Sequence, residues 1–131
     1  MFIDEKNYIK AKIYYKIQKA NSIQVETSLD KILEDKRPLY KEVNIELKPM
    51  TWKASNDLMR ESRTKNMQSG TYDIDWITYN EKKIKMILHS WDIKNEAGKD
   101  VPINESTIGS MHPSVAQAIL SIYDNNEYVE E

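Results

Sequence analysis

The side chains that could carry chemistry are few and scattered. His89 and His112 are the only imidazoles, and the chain has no cysteine. A helical zinc site wants a second ligand four residues away, but His89 has Lys85 and Ile93 at those positions. Asp92, Lys94, Glu96 and Gly98 imitate a calcium loop, yet lysine stands where an oxygen ligand is needed and the twelfth position is Ile103 rather than glutamate. No metal is expected. Gly70, Gly98 and Gly109 lie too far apart to build a phosphate-cradling loop. Asp73 and Asp75 could share acid and base roles, although beside a helix start they suit capping and the helix dipole better. Ser106, Ser110, Ser114 and Ser121 have no third partner that would complete a triad with either histidine. These residue types point away from an enzyme and from a bound cofactor.

The chain has 131 residues, 19 basic against 21 acidic, and 40% of its side chains are apolar. This suits one domain with its own core, and the missing cysteines remove disulfide and thiol chemistry. Asp4 and Glu5 stand where a leader peptide would be basic and then apolar, and no apolar run approaches the roughly 20 residues of a membrane span. A soluble chain that keeps its first residues is therefore expected. Charge is uneven: residues 1–66 carry fourteen Lys and Arg against ten Asp and Glu, whereas residues 67–131 carry five against eleven. An acidic second half opposes wrapping of nucleic acid. Lys10, Lys12 and Lys16 read as the wet face of a strand.

The elements that must position these residues follow from periodicity. Ile9, Ala11, Ile13, Tyr15 and Ile17 alternate with polar residues, and after the turn Ala20-Asn21-Ser22 so do Ile23 and Val25, predicting an antiparallel hairpin. Ser28 should cap a short helix through Leu29, Ile32 and Leu33, closed by Asp35-Lys36-Arg37-Pro38. Val43, Ile45 and Leu47 predict a third strand ended by Pro49. The period then becomes helical. Thr51 caps a helix through Trp52, Leu58, Met59 and Arg63 toward Asn66, with Gln68 to Thr71 as its breaker. A second helix should place Ile77, Ile84, Ile87, Leu88 and Trp91 on one buried face, with Lys82, Lys83 and Lys85 outward. Beyond a polar loop at 92–100 and an extended Val101-Pro102-Ile103, Asn104 caps a short turn through Ile108. Pro113 opens a last helix burying Val115, Ala118, Ile119, Ile122 and Tyr123. The reading is an α+β domain spanning 1–131. A small antiparallel sheet occupies 1–48, a mainly helical part 49–125, and an acidic, frayed tail 126–131. Trp52 and Trp91 should anchor the core.

The order of segments in the second half resembles the tail assembly chaperones of long-tailed bacteriophages. It is carried by LKPMTWKASNDLMRES at 47–62 and by DIDWITYNEKKIKMILHSWDIKNEAGKDVPINESTIGSMHPSVAQAILSIYD at 73–124. The matching positions are Lys48-Pro49-Met50-Thr51-Trp52, Trp91-Asp92, Asn95-Glu96-Ala97-Gly98, Val101-Pro102-Ile103-Asn104 and Met111-His112-Pro113. Together they cover residues 43–125. The resemblance implies a non-enzymatic helper in the host cytoplasm that binds the tape measure protein and keeps it soluble while tail-tube subunits polymerise. In a frameshifted longer form of some relatives, an added segment recruits tail-tube protein. It supplies no catalytic, cofactor or metal residues and is compatible with a homo-oligomer. The expected contact surface lies in the helical half, with Trp76, Tyr79 and Met86 on or near exposed faces and Met59 and Met67 as adaptable apolar contacts. For all five, core packing is the competing and commoner fate. The alternative is a structural virion component, a head-tail connector or tail-completion subunit, whose N-terminal strands extend a sheet in a ring.

Overall fold

A computed structural model of the chain describes residues 1–127. Alternation builds the sheet. In β1 (Ile9–Ile17) every second side chain is apolar, so Ile13 is buried on one face while Lys10 and Lys12 point to water on the other. The chain turns at Ala20 and Asn21, whose φ angles of 58° and 61° are left-handed, and returns antiparallel as β2 (Ile23–Glu26). β3 (Lys41–Leu47) pairs with the other side of β1, setting Val43 opposite Ile13 and Ile45 opposite Ala11. On the wet face Lys12 pairs with Glu42 at 2.6 Å. Between β2 and β3, Ser28 does cap a turn, but only a single 3-10 turn over Leu29–Lys31. The residues expected to close it form a second such turn, Glu34–Leu39, where Arg37 Nε donates to the Ile32 carbonyl at 3.3 Å.

Thr51 caps α1 (Trp52–Glu61) as its sequence predicts, accepting the Ala54 amide at 3.2 Å. The helix stops short of Asn66 because Ser62 closes it, donating its hydroxyl to the Leu58 carbonyl at 2.7 Å. Residues 63–74 instead fold as a hairpin of β4 (Arg63–Lys65) and β5 (Tyr72–Ile74), turned where Asn66 Oδ1 accepts the Gln68 and Ser69 amides. α2 (Trp76–Ile87) follows.

The largest departure from the periodic reading comes at its end. Leu88 to Trp91 do not continue the helix but form an edge strand, β6 (Leu88–Trp91), antiparallel to β3, so the sheet order is β2-β1-β3-β6. Leu88 lies opposite Leu47 and Trp91 opposite Ile45, with His89 as the extra residue of a bulge. Apolar residues at 84, 87, 88 and 91 satisfy a helix, but 88 and 91 also land on one strand face once a bulge intervenes. The indole N–H of Trp91 donates to the Val101 carbonyl at 2.7 Å. The Asp92 carboxylate accepts from both the backbone and the side-chain amide of Asn44, at 2.8 and 2.7 Å.

A short α3 (Glu105–Gly109) and a long α4 (Pro113–Glu127) complete the fold. α4 runs past Asn125, where a frayed tail was expected, and residues 128–131 of that tail lie outside the described residues. The core joins the inner face of the sheet to the helices through Ile13, Ile45, Leu47, Ile84, Ile87 and Ile119. The architecture is α+β. Among the described residues no helix is long and apolar enough to cross a membrane.

Candidate functional site

α2, α3 and α4 leave a groove of about 620 Å³ between them. Each wall is set by its own cap. Asp75 accepts the Ile77 and Thr78 amides at 3.1 and 3.2 Å and the Thr78 hydroxyl at 2.8 Å, fixing the start of α2. That start is tied to the end of α1 by the Asp75 amide, which donates to the Ser62 carbonyl at 2.8 Å. α3 opens on a reciprocal box, Asn104 accepting the Thr107 amide and Thr107 Oγ1 accepting the Asn104 amide. At the start of α4, His112 Nδ1 accepts the Ser114 amide at 3.1 Å, which places the imidazole in a structural role.

The lining residues follow helical spacing. Ile77, Asn80, Glu81, Ile84 and Lys85 come from α2, and Pro113, Ala116, Gln117 and Leu120 from α4; Ile108 and Met111 close the third side. The row from Ile77 to Lys85 is two turns, about 12 Å long at 1.5 Å per residue. Ile84 and Leu120 are buried and floor the groove, while Ile77 at its mouth is 74% exposed. One end is strapped by Lys85 Nζ to Glu105 at 2.9 Å, and this contact holds the Glu105 carboxyl below its ordinary value of 4.5. An exposed pair of this kind contributes little to stability.

The hydrogen bond from the Thr78 hydroxyl, with the Thr78 and Ile77 amides, holds the Asp75 carboxyl below its ordinary 3.8. A carboxylate depressed in the folded state contributes its stability fully above the unfolded value and loses it as pH falls through the folded one. Asp75→Ala should therefore lower the melting temperature at neutral pH. The gap to wild type should close as pH drops from about 4 downward. A gap that stays constant across that range contradicts the assignment.

The five residues singled out from the sequence do not line this groove. Trp76 is 59% exposed and meets the ring of Tyr79 edge-on, centroids 5.1 Å apart. Met59 and Met67 are exposed on α1 and on the β4-β5 turn, and Met86 is half-buried on α2. Trp76 is the chain neighbour of Ile77 in the first turn of α2, and Tyr79 and Met86 are the neighbours of Asn80 and Lys85, but none of the three is itself a lining residue. Three expectations are corrected. Trp52 is 83% exposed and does not anchor the core; Leu58 is the buried residue of α1, and the buried Ser62 caps its end. Ile77 stands in water rather than in the core. Lys83 points inward, 6% exposed, with its ammonium 2.6 Å from Asp124 and within 5.4 and 5.2 Å of the Tyr79 and Tyr123 ring centres. Its helix is flanked on both sides, so a long aliphatic stem is buried and its charged head is paired. The signal that could have found the groove was present in α2, where Trp76, Ile77, Tyr79, Ile84, Met86 and Ile87 spread over more than the single stripe one core requires.

The residues weighed for chemistry stay apart. His89 is exposed on the β6 bulge and stacks on Tyr8 with centroids 3.9 Å apart. Asp73 lies on β5, where Asn66 Nδ2 donates to it at 3.4 Å. Lys94 pairs with Asp100 across the 92–100 loop. Among the described residues no three His, Cys, Asp or Glu side chains come together as a cation site. A second, apolar cleft of about 270 Å³ lies between the inner sheet face and the start of α4, lined by Ile13, Ile17, Ile45, Trp91, Met111 and Val115. That is below the usual range for a drug-sized ligand. No family model, no curated protein and no solved structure matches the chain.

Proposed function

We propose that this chain is a non-enzymatic binding module that holds an amphipathic helix of a partner in the groove between α2, α3 and α4. The observation that carries the reading is a two-turn groove walled by helices and floored by Ile84 and Leu120, with Ile77 unpartnered at its mouth. A helix laying residues i, i+3, i+4 and i+7 into that length would bury one apolar stripe. Trp76, beside Ile77, gives a large ring where such a helix leaves the groove.

The biological setting comes from the resemblance of residues 43–125 to phage tail assembly chaperones. In that setting the partner is the tape measure protein, and the chain works in the host cytoplasm, covering apolar stripes that would otherwise aggregate. The second reading, a head-tail connector or tail-completion subunit, is favoured by one feature, the outer edge of β2, which pairs with no other strand among the described residues. Affinity capture of the tagged chain from infected cells during tail assembly separates the two, with mass spectrometry of the complex and of purified particles. Recovery of a very long helical protein, with this chain missing from particles, supports the chaperone. Fixed copies in particles, with no such partner in the lysate, overturn it for the connector.

A further inference from the structure

We infer that the edge of β2 is a self-association surface, and that a second copy of this chain pairs with it antiparallel about Val25 to form a continuous eight-stranded sheet. The backbone settles which groups are free. In an antiparallel ladder, residues alternate between bonding one neighbour and the other. The Gln18 amide donates to the Ser22 carbonyl in the same register that sets Lys16 opposite Gln24 and Tyr14 opposite Glu26. Gln24 and Glu26 therefore bond to β1, and Ile23 and Val25 turn their N–H and C=O outward. The far side of the sheet agrees. The Asn44 carbonyl accepts the Asp92 amide and the Asn44 amide donates to the Asp92 carboxylate, so both backbone groups of Asn44 point to the β6 side. Val43 and Ile45 therefore face β1, and the odd-numbered residues of β1 face β3 rather than β2.

The two edges of the sheet differ. β6 is broken by its bulge at His89, on which the Tyr8 ring stacks. β2 is short, four residues with one charge at Glu26, but it has a regular register with no bulge, no proline and no lysine, three of the devices that normally blunt an edge. It borders an open groove of about 690 Å³ whose α4 wall presents the uncharged Ser114, Gln117, Ser121 and Asn125, with Lys31 also lining it.

The occupant follows from complementarity. With a two-fold axis at Val25, the outward groups of Val25 meet their own copies and those of Ile23 meet Thr27 of the second chain. Gln24 then lies opposite Glu26 of the second chain in the close, non-hydrogen-bonded position, twice, an amide facing a carboxylate with no like charges opposed. A register centred on Ile23 would need Asn21 as a strand residue, and its φ of 61° forbids that. A register centred on Gln24 would only set two neutral amides against each other, and Gln24→Lys, which opposes two lysines there but a lysine and Glu26 in the Val25 register, separates the two.

Sedimentation equilibrium of the isolated full chain over a wide concentration range tests this, with three variants. Gln24→Glu sets two carboxylate pairs against each other across the interface and should weaken the dimer roughly tenfold. Within one chain the same change faces Lys16, so weakened association would not come from a weakened fold. Gln24→Lys should tighten the dimer. Val25→Pro removes the outward N–H together with the packing of the valine side chain against the core; it should leave monomer, with a circular dichroism spectrum that keeps its shape and a modestly lower melting temperature. A wild-type chain that stays monomeric throughout, or a dimer indifferent to residues 24 and 25, overturns the inference.

Discussion

Replacing Ile77 by glutamate is expected to lower affinity for the captured partner helix by roughly 30-fold or more, the loss of one interface hot spot of about 2 kcal/mol. Ile77 is on the first turn of α2 and mostly exposed, so its side chain contributes little to the core. Surface changes of this kind usually alter stability by within about 0.5 kcal/mol, and the melting temperature should barely move. Titration calorimetry with the helical segment identified from the captured partner, beside a thermal melt, gives both numbers. Trp52→Glu is the matched control, since Trp52 is at least as exposed but sits on α1, away from the groove. Equal losses in the two variants would mean that binding follows general apolar exposure and not this groove.

Ile87→Ala should cost about 3 kcal/mol, within the range measured for buried isoleucine. Ile87 is fully buried at the last position of α2, among the residues that join the helices to the sheet. Its loss leaves a cavity that neither side can collapse to fill. For a chain of this length that corresponds to a fall in melting temperature of roughly 10 °C, read by calorimetry or by the denaturant midpoint at unchanged slope. A loss below about 1 kcal/mol would place Ile87 at a loose margin of the packing instead.

Most of the sheet was legible because its signal is local. Strict alternation from Ile9 to Ile17 and from Val43 to Leu47 admits one face and hence one register, and the hairpin turn at Ala20 and Asn21 lies where small and polar residues interrupt it. The caps were legible for the same reason. Thr51, Asp75 and Asn104 each satisfy amides two or three residues away, so tertiary context hardly enters.

What depended on distant partners was not legible. Leu88 and Trp91 fit a helix by spacing, and only the free edge of β3 explains why they become a strand. Lys83 reads as solvent-facing until α4 brings Asp124 and Tyr123 against it. The groove shares this limit. Its α2 wall shows in the sequence only as more apolar residues than one core stripe needs, while its other walls come from α3 and α4, twenty to forty residues on. Periodicity shows that a face is apolar but not whether a neighbour covers it.

The most direct test is a methyl NMR titration of the labelled chain with the helical segment of its captured partner. A helix in the groove should shift the methyl resonances of Ile77, Ile84, Ile108 and Met111, leaving those of Met59, Met67 and Ile17 in place. Shifts confined to Met59, Met67 and Met86, or to Ile17 and Ile23 at the sheet, would contradict it and move the binding surface off the groove.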